Sequence, residues 1–134
     1  MSKLIVLIAI GYLTFSCDGN SAKGSGPNTS IDSLIDVVNV SPDKYKILLE
    51  NEYVRVVKYS LRPGEKDNPH THPRKSSYVI SGGTLRVYPE GGEPIDFEEL
   101  EGMAQWSEAT HKHYVENIGK TTITILLTEI KAAR

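Results

Sequence analysis

The chain of 134 residues predicts an all-β fold, and three observations carry that prediction. From about Ile31 onward, short runs rich in β-branched and aromatic residues are separated by Gly, Pro and Asn clusters. Their spacing, roughly 8–12 residues, is that of a sandwich or barrel. No stretch of helical length shows a 3.6-residue apolar period, and only "SIDSLIDVV" (residues 30–38) reads as a helical turn.

The first 17 residues stand apart from that pattern. "MSKLIVLIAIGYLTFSC" has one lysine, an apolar run over residues 4–13, and small or polar residues ending at Cys17. This is the order of an export signal. The run is too short to cross a bilayer, which takes roughly 20 apolar residues. Cys17 is the only cysteine, so no internal disulfide exists. The segment resembles the lipobox of bacterial lipoproteins, which implies lipidation of Cys17 and a mature chain that begins there. Thr14 and Phe15 depart from the usual leucine and small residue of that motif, and a plain secretory signal cleaved nearby is the alternative. Residues 18–30, "DGNSAKGSGPNTS", hold no core-forming side chain and read as a flexible tether. The expected organisation is a signal segment at 1–17, a linker at 18–30 and one β domain at 31–134. The protein is expected to be exported to the cell envelope, touching the membrane only through a lipid at Cys17.

Within the domain, "KYKILLE" (44–50) and "YVRVVKYSL" (53–61) are strands joined by a turn at Asn51-Glu52. "SSYVIS" (76–81) leads through Gly82-Gly83 into "TLRVYP" (84–89), the signal of a hairpin. "PEGGEP" (89–94) is another turn, followed by "IDFEELEG", "MAQWSE", "THKHYVEN" and the long β-branched run "TTITILLTEI" (121–130). With 39% hydrophobic and 24% charged residues and a formal net charge of −2, the composition is globular. Basic residues are scattered and the most charge-biased stretch, residues 90–102, is acidic, so nucleic acid is excluded as a partner.

Four histidines carry the chemistry, in two His-x-His pairs: His70 and His72, His111 and His113. In an extended chain each pair shares one face. Imidazole nitrogen is a good ligand for zinc, iron, copper or nickel, so two such pairs on inward faces can converge on one ion. Pro69 and Pro73 flank the first pair, fixing their own φ and holding Asn68 and His72 extended.

"PGEKDNPHTHPRKSSYVISGG" (63–83) resembles the first motif of the cupin superfamily, G-x5-H-x-H-x(3,4)-E-x6-G, through Gly64, His70, His72 and Gly83. "HKHYVENIG" (111–119) resembles the end of the second motif, H-x3-N, through His113 and Asn117. The similarity spans about residues 44–131. It implies a double-stranded β-helix, a jelly-roll barrel with a metal site or ligand pocket inside, and a divalent transition metal (Fe, Mn, Zn, Ni or Cu) on His70, His72 and His113. Ser76 stands where the family's glutamate belongs, and Glu108 and Thr110 replace the second motif's proline and glycine. Three histidines without a carboxylate leave a more positive site that favours anionic ligands, and three protein ligands suffice for catalytic metals.

Ser76 is expected beside the histidines. Tyr78 shares its parity and is expected to line the pocket. His111 either lines the pocket or is solvated, with solvation slightly favoured; Asn117 either bonds a ligand or braces its strand, bracing being favoured. Trp106 is expected in the core, and Lys75 and Arg86 at the surface. Two functions remain: a metal-dependent enzyme acting on a small molecule, with Tyr78, His111 or Glu108 as acid–base groups, or a non-catalytic small-molecule-binding module of the envelope with a degenerate metal site. A homodimer is compatible with either.

Overall fold

The computed structural model describes residues 35–131. The expected signal segment, the linker and Cys17 lie outside them, as do residues 31–34 and 132–134. Two antiparallel sheets face each other. One holds five strands: β1 (Tyr45–Glu50), β2 (Val54–Leu61), β4 (Lys75–Ser81), β7 (Ala104–Ser107) and β9 (Ile123–Ile130), in the order β1-β2-β9-β4-β7. The other holds β3 (His70–His72), β5 (Gly83–Pro89), β6 (Ile95–Glu99) and β8 (Thr110–Asn117), in the order β3-β8-β5-β6. The all-β jelly roll expected from the sequence is what the chain forms.

Among the described residues the helical signal is one turn, α1 (Val37–Val40), capped by Asp36, whose side chain accepts from the Val38 amide at 3.0 Å. Its Val37 is fully buried and belongs to the core. β9 runs through the middle of the larger sheet, and its burial alternates without interruption. Ile123, Ile125 and Leu127 point inward against Val57, Tyr59, Leu61 and Val79. Each such aliphatic side chain contributes about 1.5–3 kcal/mol on burial. Leu85 and Val115 supply the facing sheet's share.

Gly82-Gly83 does not close a hairpin. β4 pairs with β7 and β9, whereas β5 pairs with β6 and β8, so the chain crosses here from one sheet to the other. Glycine is needed because of closeness rather than a tight turn: a Cβ on Gly82 would lie 2.1 Å from the Glu99 carbonyl oxygen. The hairpin signals at Asn51-Glu52 and at residues 89–94 do join paired strands, β1 to β2 and β5 to β6.

A second crossing matters more for the site. β3 belongs to the smaller sheet and β4 to the larger, so between His72 and Lys75 the chain changes sheets at Pro73-Arg74. Alternation counted along one strand does not carry through such a crossing.

Candidate metal centre

β3 and β8 bring His70 and His113 opposite one another as register partners, with a bulge between His70 and His72. His70 is fully buried, His72 nearly so, and His113 half-buried. The three rings pack edge-on or tilted, their centroids 4.5–5.7 Å apart. One ring nitrogen from each lies within 4.8 Å of the others. Nitrogens held at about 2.1 Å from one ion lie roughly 3–4 Å apart, a tighter spacing than this 4.8 Å bound requires.

Each ring is held by its Nδ1, which faces an acceptor and is therefore assigned the proton. His70 Nδ1 donates to the Asn68 carbonyl at 2.8 Å, across Pro69. His113 Nδ1 donates to the His111 carbonyl at 2.7 Å. His72 Nδ1 donates to Glu129 Oε1 at 3.0 Å. All three Nε2 lone pairs are left for something else, and His70 Nε2 is buried with no hydrogen-bond partner among the described residues. Orienting a histidine through its far nitrogen is how proteins prepare a metal ligand. Burial lowers all three pKa values, His70 to about 4 and His72 well below the usual imidazole range, with the Lys75 charge adding to the effect. The rings are neutral at pH 7, the protonation state that binds metal.

Behind the rings stand two buried carboxylates. Glu129, 1% exposed, takes Arg55 Nη2 at 2.6 Å and Nε at 2.7 Å on the oxygen that His72 does not use. Arg55 continues to Asp36 at 2.7 and 3.0 Å. Asp67 accepts from the Tyr45 hydroxyl (2.8 Å), the Tyr59 hydroxyl (3.1 Å) and the Val115 amide (2.6 Å). It lies 3.8 Å from His70 Nδ1, too far for a hydrogen bond. These tyrosines stack on each other at 4.5 Å, and Tyr45 meets His70 edge-on. Asp67, Glu129 and the tyrosines were missed by the motif reading. Glu129 had a signal: it is the one charged residue at the inward parity of β9, in line with Ile123, Ile125 and Leu127.

Several expected positions require correction. Ser76 is exposed, and Tyr78 is 48% exposed, so neither borders the histidines. Their strand lies in the sheet facing His72, and the residues directed inward on it are Lys75, Ser77 and Val79. Ser76 pairs in register with Trp106 and Thr128, all on the outer face. Trp106 is accordingly 56% exposed rather than core, its Nε1 donating to Glu108 at 2.9 Å. Lys75, expected at the surface, is buried. Arg86 is half-buried at the surface and paired with Asp96 at 2.6 Å. His111 is exposed but borders the mouth of the cavity.

Asn117 braces its strand. Fully buried, it donates to the Leu61 and Thr121 carbonyls, both at 2.8 Å, and accepts from the Gly119 amide at 2.9 Å.

The histidines open on a cavity of about 480 Å³ between the two sheets, a volume suited to a small organic molecule. Its walls include Leu85, Val87, Phe97, Ile125 and Leu127, with Ser77, Glu99 and Gln105 as polar groups.

No protein-family model and no curated protein matches the chain. Solved structures do match. A cupin domain from Bordetella pertussis aligns with TM-score 0.61 and 22% identity, over 66% of this chain and 92% of that one. A double-stranded β-helix cupin from Methanocaldococcus jannaschii aligns with TM-score 0.54 and 19% identity, over 65% and 78%. A double-stranded β-helix protein from Klebsiella pneumoniae aligns with TM-score 0.52 and 20% identity, over 67% and 78%.

The chain has the cupin fold. In this cupin barrel the two crossings, at Pro73-Arg74 and Gly82-Gly83, place the histidine-bearing strands of the smaller sheet across the cavity from Lys75 and Ser77. Ser76, the position that the cupin motif's spacing from both His72 and Gly83 gives to a glutamate, faces outward, and its neighbour Ser77 borders the cavity. The chain's own buried carboxylates instead stand behind the histidines, where Glu129 orients the His72 ring.

Proposed function

We propose that this protein is an exported cupin that holds a divalent transition metal through Nε2 of His70, His72 and His113 and binds a small molecule beside it. The observation that carries the reading is the orphaned, fully buried Nε2 of His70, in a trio whose three Nδ1 atoms are all engaged. A buried polar atom without a partner costs about 1–3 kcal/mol, and an ion shared by three lone pairs removes that cost. The donor set fits such a metal: three neutral imidazoles and no soft sulfur, open on one side to the cavity. When bound, the ion supplies Lewis acidity toward a ligand oxygen or a water molecule. The chain's own residues orient the rings, exclude bulk water with apolar walls, and keep the imidazoles unprotonated.

A non-catalytic binding module with a degenerate metal site is the second reading, favoured by Ser76 at the motif's carboxylate position. Elemental analysis of protein purified without a histidine tag separates the two. Close to one metal ion per chain is expected, falling to background in His72→Ala. Wild-type protein that remains metal-free after incubation with each candidate ion refutes the metal site and leaves the binding module.

The N-terminal segment supports export with a lipid on Cys17. Cys17→Ser is expected to move the exported protein from membrane to soluble fractions; a substituted protein that stays with the membrane refutes the anchor.

A further inference from the structure

Extending the small-molecule-binding reading above, we propose that Lys75 anchors the anionic head of the cavity's ligand, and that this ligand is an organic carboxylate with an apolar body. Lys75 is 9% exposed and its side chain reaches the cavity from the sheet opposite the histidines. Among the described residues its ammonium has no ion-pair partner and no hydrogen bond. Glu129, its register partner on β9, is the carboxylate that acts on it, but both oxygens of Glu129 are already taken, by His72 and by Arg55. Glu99 lies elsewhere on the cavity wall, within reach of Gln105 Nε2 at 3.3 Å.

An ammonium offers three donors and no acceptor, and a buried charge is costly unless paired. Here the protein leaves all three donors to whatever fills the cavity. Burial brings the group down to about 8, so it remains mostly charged at neutral pH. A divalent ion on the histidines would add positive charge on the opposite side, and no cavity-facing carboxylate stands where cupin motifs carry one. Both effects select an anion. The rest of the wall is mostly apolar, from Leu85, Val87, Phe97, Ile125 and Leu127, with Ser77, Glu99 and Gln105 among its polar groups, so the body behind the anion is chiefly apolar rather than a phosphate chain, which Glu99 would repel.

The test uses the purified full chain, with and without Zn²⁺, and two probes of matched shape, benzoate and benzyl alcohol, titrated by calorimetry. Wild type should bind benzoate more tightly by about 10- to 100-fold, the worth of a hydrogen bond between charged groups. Lys75→Met should lose that preference while its benzyl alcohol affinity and zinc content stay near wild type, and Lys75→Arg should retain most of it. A wild type indifferent to the charge of the probe overturns the proposal, as does a folded Lys75→Met variant that still prefers benzoate. The metal reading is judged separately. If His72→Ala loses zinc and keeps a Lys75-dependent benzoate preference, the anchor stands without the ion. If Lys75→Met keeps both zinc and preference, the ion stands and the anchor fails.

Discussion

Glu129→Gln is the substitution that best exposes how the metal centre is built. Glu129 is 1% exposed and serves two donors at once, His72 Nδ1 on one oxygen and Arg55 on the other. Glutamine has nearly the same volume but one acceptor and one NH₂. With its oxygen toward Arg55, the NH₂ confronts the proton on His72 Nδ1 and drives that proton to Nε2, removing the lone pair a metal needs. With its oxygen toward His72, the NH₂ confronts Arg55, which keeps only Asp36 at 2.7 and 3.0 Å. Hydrogen bonds to charged groups are worth about 1.5–3 kcal/mol each, so a loss of about 2–4 kcal/mol of stability is expected. Disturbing a partner that orients a metal ligand typically weakens metal binding 10- to 100-fold, or about 1.4–2.8 kcal/mol. Urea denaturation of the metal-free protein reads the first number, and zinc titration against a competing chelator reads the second. A folded Gln variant with unchanged zinc affinity would refute the reasoning, because His72 would then need no carboxylate behind it.

Two further outcomes are expected. Metal-free protein should lose stability on acidification: His70 is fully buried and falls to about 4 in the folded state against about 6.5 when unfolded. The unfolded chain therefore binds more protons between those values, and stability drops as pH falls through that window, by up to about 3 kcal/mol from this group alone. Denaturation at pH 7 and pH 4.5 measures it, and equal stability at both would contradict the assignment of His70 as buried and neutral. Asn117→Ala should cost about 2–4 kcal/mol, because it strands the Leu61 and Thr121 carbonyls and the Gly119 amide. Metal content should be unaffected; a variant that loses metal yet melts normally would place Asn117 in the site instead of beside it.

The sequence by itself carried the all-β class, most strand positions and the pairing of His70 with His72 on one face. Those are consequences of local chemistry: β-branched runs, turn residues and a two-residue alternation that holds along any single strand. The resemblance to the second cupin motif also indicated which distant histidine, His113, would join them, and Asn117's role as a brace followed from the general need of buried amides for backbone partners. What the tertiary structure decided lies at the places where the chain changes sheets. At Pro73-Arg74 the alternation restarts, so Lys75 and Ser77 face the cavity while Ser76 and Tyr78 face out, the opposite of what counting from His72 implies. At Gly82-Gly83 a hairpin signal becomes a crossing, since the glycine is required by the backbone of Glu99 rather than by a turn. The same holds for the groups behind the rings. Glu129 lies 57 residues from His72 along the chain, and no local pattern sets that distance; the pairing of β4 with β9 sets the carboxylate beside Lys75, and the facing of the two sheets brings His72 to it.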